Sequence, residues 1–209
     1  MNLLLFGATG LVGRNVLSQA LADDRIARVT APVRRALPEH PKLDAPVIDF
    51  SALPVDETWW RADAVICALG TTMRQAGSHA GFYRVDYDYP LAVARLAKQW
   101  GTKVYALNSA LGADRDSRFF YNRVKGELEY DLSRLGFASL SFIRPGMIGG
   151  EREEFRLGER VALAALSLLG GFLPKRWQIN PAPIIAHALL DAAITQAPGI
   201  NIISSEELV

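Results

Sequence analysis

Leu3-Leu4-Leu5-Phe6-Gly7-Ala8-Thr9-Gly10-Leu11-Val12-Gly13 decides the fold. A short apolar run reads as a buried strand. Three glycines follow at i, i+3 and i+6, and the apolar positions Leu11, Val12, Val16, Leu17, Ala20 and Leu21 then recur at helical spacing. The order is strand, tight turn, helix. Glycine suits such a turn because the backbone must bend sharply and come close to a neighbour, and a Cβ would block both. Backbone N–H groups and the positive end of the helix dipole favour an anion there, most simply a pyrophosphate. The turn formed by Gly7, Ala8, Thr9, Gly10, Leu11, Val12 and Gly13 is therefore expected to cradle a dinucleotide. The fold class expected is α/β, a Rossmann-like doubly wound parallel sheet.

The 209 residues fit a single domain spanning 1–209, with 151–209 expected as a small C-terminal lid or substrate part. Half the residues are hydrophobic, and the formal charge of +1 gives no broad attraction to nucleic acid. Cys67 is the single cysteine, so no internal disulfide forms, which fits a reducing compartment. No basic leader precedes the first strand, and no apolar window is long enough to span a bilayer. A cytoplasmic location is expected, for a monomer or homodimer. The three histidines are scattered and suggest no metal site.

Outward from the glycine turn, a second strand is expected at 26–33, ending in Arg34-Arg35. In a dinucleotide fold this strand end faces the adenosine ribose. A carboxylate there binds a 2′-hydroxyl, whereas an arginine accommodates a 2′-phosphate. Nothing acidic lies between Ile26 and Pro38, which favours NADP(H) over NAD(H). The alternative is that the two arginines only solvate a strand end. A third strand is expected at 46–50, with Asp49 and Phe50 at the adenine end, or with Asp49 as a turn residue. The apolar run 63–69 reads as a central strand whose exit, Leu69-Gly70-Thr71-Thr72, offers a close backbone approach and two hydroxyls. Cys67 lies inside that strand and reads as core. Residues 73–81 read as a loop or lid, and 82–100 as a long helix in which Pro90 must sit at a first turn or a kink. A fifth strand at 103–108 ends at Ser109.

Tyr121 and Lys125 are four apart within the helical stretch 118–135, so they share one face. Packing does not require a phenol beside an ammonium. Proton transfer uses one, because the cation stabilises a phenolate. Ser109, at a strand end, carries a hydroxyl that could donate to a carbonyl oxygen. Plainer readings are a surface aromatic at Tyr121, a Lys125–Glu129 helix pair and a turn cap at Ser109.

Taken in order, Gly7/Gly10/Gly13, Leu69-Gly70-Thr71-Thr72, Ser109, Tyr121-x-x-x-Lys125 and Arg144-Pro145-Gly146 resemble the short-chain dehydrogenase/reductases. The segments 67–72, 81–89, 109–114 and 124–127 resemble most the small atypical group of Tat-interacting-protein oxidoreductases, and the similarity extends over about residues 2–195. The resemblance implies bound NADP(H), Tyr121 as general acid/base, Lys125 on the nicotinamide ribose, Ser109 polarising a carbonyl, and Pro145, Gly146 and Met147 passing the nicotinamide. It also implies a departure: Asp86 stands where the better-known branch has a relay asparagine. Two functions are then expected in competition. One is hydride transfer between nicotinamide and a small or apolar carbonyl/alcohol substrate. The other is a regulatory NADP(H)-binding protein with little turnover. An epimerase or dehydratase that uses the nucleotide transiently ranks third.

A sixth strand is expected at 139–144. The stretch beyond it is short for a bulky nucleotide-sugar substrate. Residues 151–159 are dense in charge and read as a lid. Residues 161–173 are strongly apolar and, with Lys175-Arg176-Trp177, read as a helix closing the site or touching a membrane surface peripherally. A helix at 181–193 and an edge strand at 200–204 complete the expected elements.

Overall fold

The computed structural model describes residues 1–149 and 178–209. The charged stretch 151–159, the apolar stretch 161–173 and the basic anchor 175–177 lie outside the described residues.

The opening stretch forms strand β1 (Asn2–Phe6) and helix α1 (Leu11–Ala22), as its periodicity demands. The remaining strands are β2 (Arg28–Thr30), β3 (Leu43–Asp44), β4 (Ala64–Cys67), β5 (Val104–Asn108), β6 (Ser139–Arg144), β7 (Met147–Gly149), β8 (Ile179–Pro181) and β9 (Gly199–Ser204). Seven of them build one sheet in the order β3-β2-β1-β4-β5-β6-β9, every neighbouring pair parallel. The chain starts in the middle, winds out to β3, then crosses back to β4. That reversal beside β1 opens a crevice at the carboxyl ends of the strands, where ligands bind in such sheets.

Period-2 alternation explains why both faces are covered. Leu3 and Leu5, Ala64 and Ile66, and Val104 and Ala106 point to the face packed by α1 and α6 (Ala182–Thr195). Leu4 and Phe6, Val65 and Cys67, and Tyr105 and Leu107 point to the opposite face. There they meet α4 (Tyr89–Gln99) and α5 (Phe120–Ser133) through Val93, Ala97, Leu128 and Leu132. Strands that are apolar on both faces are what a parallel sheet between two helical layers requires. Cys67 is core, and burial pushes its thiol up from its ordinary value.

Three expectations are corrected. The second strand is short because Pro32 carries no N–H for the ladder. The third strand is not at 46–50 but at Leu43–Asp44. Pro46 accepts from the Val33 N–H but has none to give, and Val47 makes only an isolated bridge to Val33. The expected loop at 73–81 contains two short helices, α2 (Met73–Ala76) and α3 (His79–Tyr83). Thr72 caps the first by accepting the Gln75 N–H, and Ser78 caps the second by accepting the Gly81 N–H. The described C-terminal segment forms the expected helix and edge strand. α6 packs beside α1, and β9 pairs along its whole length with β6.

Candidate functional site

The glycine turn is built as its spacing requires. Gly7 has φ +86°, and a Cβ there would come 2.5 Å from the Ala68 carbonyl. A Cβ on Gly13 would overlap the Gly7 carbonyl oxygen. The turn therefore lies flat against the exit of β4 on one side and the first turn of α1 on the other. Gly10 begins α1 with no side chain capping it, and Thr9 and Gly10 are exposed. Uncapped N–H groups at a helix start, facing a crevice, fit a pyrophosphate.

From this turn a continuous line of contacts leads to the tyrosine–lysine pair. The Gly7 turn meets Ala68 and Leu69, and Gly70 and Thr71 come next. The Thr71 N–H donates to Asp86 Oδ2 at 2.8 Å. Asp86 Oδ1 pairs with Lys125 Nζ, also at 2.8 Å, and both side chains are sealed from solvent. Lys125 lies one turn along α5 from Tyr121. Burial works against the ammonium, but Asp86, with the Tyr121 phenol, outweighs it and holds the Lys125 pKa above its ordinary value. Tyr121 itself is 42% exposed and packs its ring against Phe82, 5.7 Å between centroids. The phenol is thus half open to solvent, one helical turn from the sealed ammonium. The plainer reading of Lys125, a pair with Glu129, does not hold.

Glu129 serves another cluster. It lies a further turn along the same helix face and is buried. It accepts the Ser109 hydroxyl and both arms of the Arg144 guanidinium, Nε at 3.0 Å. The Arg144 pKa is raised by its hydrogen bonds to Glu129. Ser109 is only 4% exposed, and its proton is committed to Glu129. Its place one step past β5 puts it on the same face as Leu107 and Tyr105, inward toward α5, where Glu129 is its hydrogen-bond partner.

The other expected residues ring the strand exits. Arg34 and Arg35 are exposed just after the Val33 bridge and, among the described residues, make no side-chain pair. Asp49 Oδ1 accepts both the Ser51 N–H and the Ser51 hydroxyl, which hold its carboxyl below the usual range. Phe50 packs edge-on to Phe6 and against Tyr89, and lines a cavity of 510 Å³ with Arg84 and Arg95. Thr72 is spent capping α2. In the turn after β6, the Pro145 carbonyl accepts the Leu111 N–H, Gly146 N–H donates to Asn180 Oδ1 at 2.6 Å, and Met147 is exposed.

Sequence reasoning missed Asp86 as a partner of Lys125, and also Glu129 and Asn180. Asn180 is fully buried. It accepts the Ser205 hydroxyl and donates to the Ser205 and Leu208 carbonyls, joining the β6 exit turn to the C-terminal segment. A polar residue in the apolar setting of 178–194 is the only local signal it leaves. Asn180→Ala orphans these buried groups, so a loss of about 2–3 kcal/mol of stability is expected in denaturant unfolding.

Residues 7–133 match the family described as NAD(P)H-binding. The chain is 34% identical over 211 residues to "Protein fmp52, mitochondrial" of Aspergillus niger, covering 95% of this chain and 89% of that protein. It is 35% identical over 206 residues to "Protein HTATIP2" of Rattus norvegicus, covering 95% and 83%. Among solved structures, MoeE5 in complex with UDP-glucuronic acid and NAD superposes with a TM-score of 0.74 at 17% identity, over 97% of this chain and 75% of that one, a likeness of fold. The fungal relatives carry a mitochondrial name, which overturns the expectation of a cytoplasmic location. With its glycine turn, its parallel sheet and its relatives agreeing, the chain belongs to the NAD(P)H-binding family, a Rossmann-like protein related to HTATIP2 and fmp52.

Proposed function

We propose that the protein is an NADP(H)-dependent oxidoreductase acting on a small or apolar carbonyl/alcohol pair. One observation carries this reading: a half-exposed phenol, Tyr121, stands one helical turn from a sealed ammonium, Lys125, at the end of a line of contacts from the glycine turn. Bound, the nicotinamide supplies or accepts the hydride. For reduction, Tyr121 gives its proton to the carbonyl oxygen as the carbonyl carbon takes the hydride. Lys125 stabilises the phenolate left behind, and solvent reprotonates it. Ser109, held by Glu129, fixes the β5 exit behind the phenol. The 7–13 turn would hold the pyrophosphate, and Arg34 and Arg35 a 2′-phosphate. Phe50 would lie at the adenine end, Leu69 to Thr71 beside a ribose, and Pro145 to Met147 beside the nicotinamide.

The rim supports an apolar substrate. Met73, Leu111, Phe119, Tyr121 and Met147 are exposed large apolar or aromatic side chains, and all stand on segments that follow β4, β5 and β6 at the carboxyl edge. A second reading, a dinucleotide-binding regulatory protein with little turnover, is favoured by the burial of the Ser109 hydroxyl against Glu129.

Calorimetric titration with NADPH and NADH tests the cofactor. Tighter binding of NADPH, lost in Arg34→Ala/Arg35→Ala while NADH binding is unchanged, is expected. The preference should be about tenfold or more, since a charge-assisted contact contributes over 1 kcal/mol. Equal binding of both nucleotides would remove the 2′-phosphate assignment.

A further inference from the structure

We propose that Asp86 is a positioning residue that ties the Lys125 ammonium to the Gly70–Thr71 exit of β4, so that the dinucleotide crevice and the acid–base helix are held as one unit. The proposal rests on the dinucleotide reading above.

Both oxygens of Asp86 are used, and they face different parts of the site. Oδ2 accepts from the backbone of the segment expected beside the ribose, and Oδ1 meets the ammonium beneath Tyr121. Asp86 is 1% exposed and Lys125 3%. Either charge alone at that depth is costly, and each compensates the other.

The backbone is shaped to deliver this carboxylate. Between α3 and α4 the chain makes a wide π turn over Arg84–Asp88, closed by the Tyr89 N–H on the Arg84 carbonyl. Pro90 has no N–H to give the Asp86 carbonyl, so an α turn cannot continue there. The Pro90 carbonyl is held in turn by the buried Tyr105 hydroxyl at 3.1 Å. Neighbours on the same segment also meet α5. Tyr83 donates to Glu127 at 3.1 Å, Tyr87 donates to Asp131, and the Phe82 ring lies tilted against Tyr121. Asp86 is the member of this seam that also reaches the β4 exit. An asparagine there could still accept the Thr71 N–H, but it could not balance the ammonium.

The test compares wild type, Asp86→Asn, Lys125→Met and the double variant by NADPH titration, thermal melting and ¹⁵N spectra of the lysine Nζ groups. A slowly exchanging Nζ signal is expected in wild type and should vanish in Asp86→Asn. Each single variant should melt lower and bind NADPH about tenfold more weakly. The double variant should regain the melting temperature, because no buried charge is left unpaired, but not the affinity, because no ammonium is delivered. A purely structural pair would regain both, which would overturn the proposal. So would an Asp86→Asn chain that binds NADPH like wild type. A wild-type chain that binds neither NADPH nor NADH would instead show that the dinucleotide reading itself has failed.

Discussion

Tyr121→Phe is expected to lower kcat for any carbonyl substrate by roughly a hundred- to ten-thousand-fold, the range for a lost general acid, while NADPH affinity changes by less than about twofold. The ring keeps its contact with Phe82 and only the hydroxyl is removed, at a position half open to solvent, so the fold is not at stake. A substrate panel with stopped-flow detection of nicotinamide absorbance checks it. Turnover that survives the substitution would exclude Tyr121 as proton donor. Absence of turnover in wild type, alongside tight NADPH binding, would favour the regulatory reading.

Gly13→Ala is expected to act on the whole protein. The new methyl group would overlap the Gly7 carbonyl oxygen, which belongs to backbone and cannot swing aside. Either α1 moves off the β1 turn or the turn opens. The first breaks the packing of Val12 and Val16 against the sheet, and the second removes the anion cradle. A loss of about 3 kcal/mol or more is expected in denaturant unfolding, with dinucleotide binding lost wherever the chain still folds. Gly10→Ala is the control, since a Cβ there would stand 3.4 Å from the same oxygen, an ordinary contact. A Gly13→Ala chain as stable as wild type would mean that α1 does not rest on this turn.

The glycine turn, the Tyr121–Lys125 spacing and the alternation of the central strands were legible in the chain because each is a local relation. Three glycines within one turn, two side chains one helical turn apart and a two-residue period need no knowledge of what lies across the fold. The third strand was misplaced for a reason also local, the N–H missing at Pro46, whose consequence appears only once Val33 is beside it. The helical caps at Thr72 and Ser78 were legible but passed over in a polar stretch that resembles a loop.

By itself, then, the sequence determined an α/β dinucleotide fold and which residues stand at its strand exits. The tertiary structure alone decided what each polar side chain does there. Asp86 is 39 positions from Lys125 and 15 from Thr71, and it meets both only because a π turn and a parallel sheet bring three segments to one point. Glu129 could have reached back to Lys125 along its own helix, but it turned to Ser109 and Arg144, from two strands that lie beside it only in the folded sheet. A buried charge takes the partner that also satisfies its remaining hydrogen-bonding positions, and which partner that is depends on distances through space rather than along the chain.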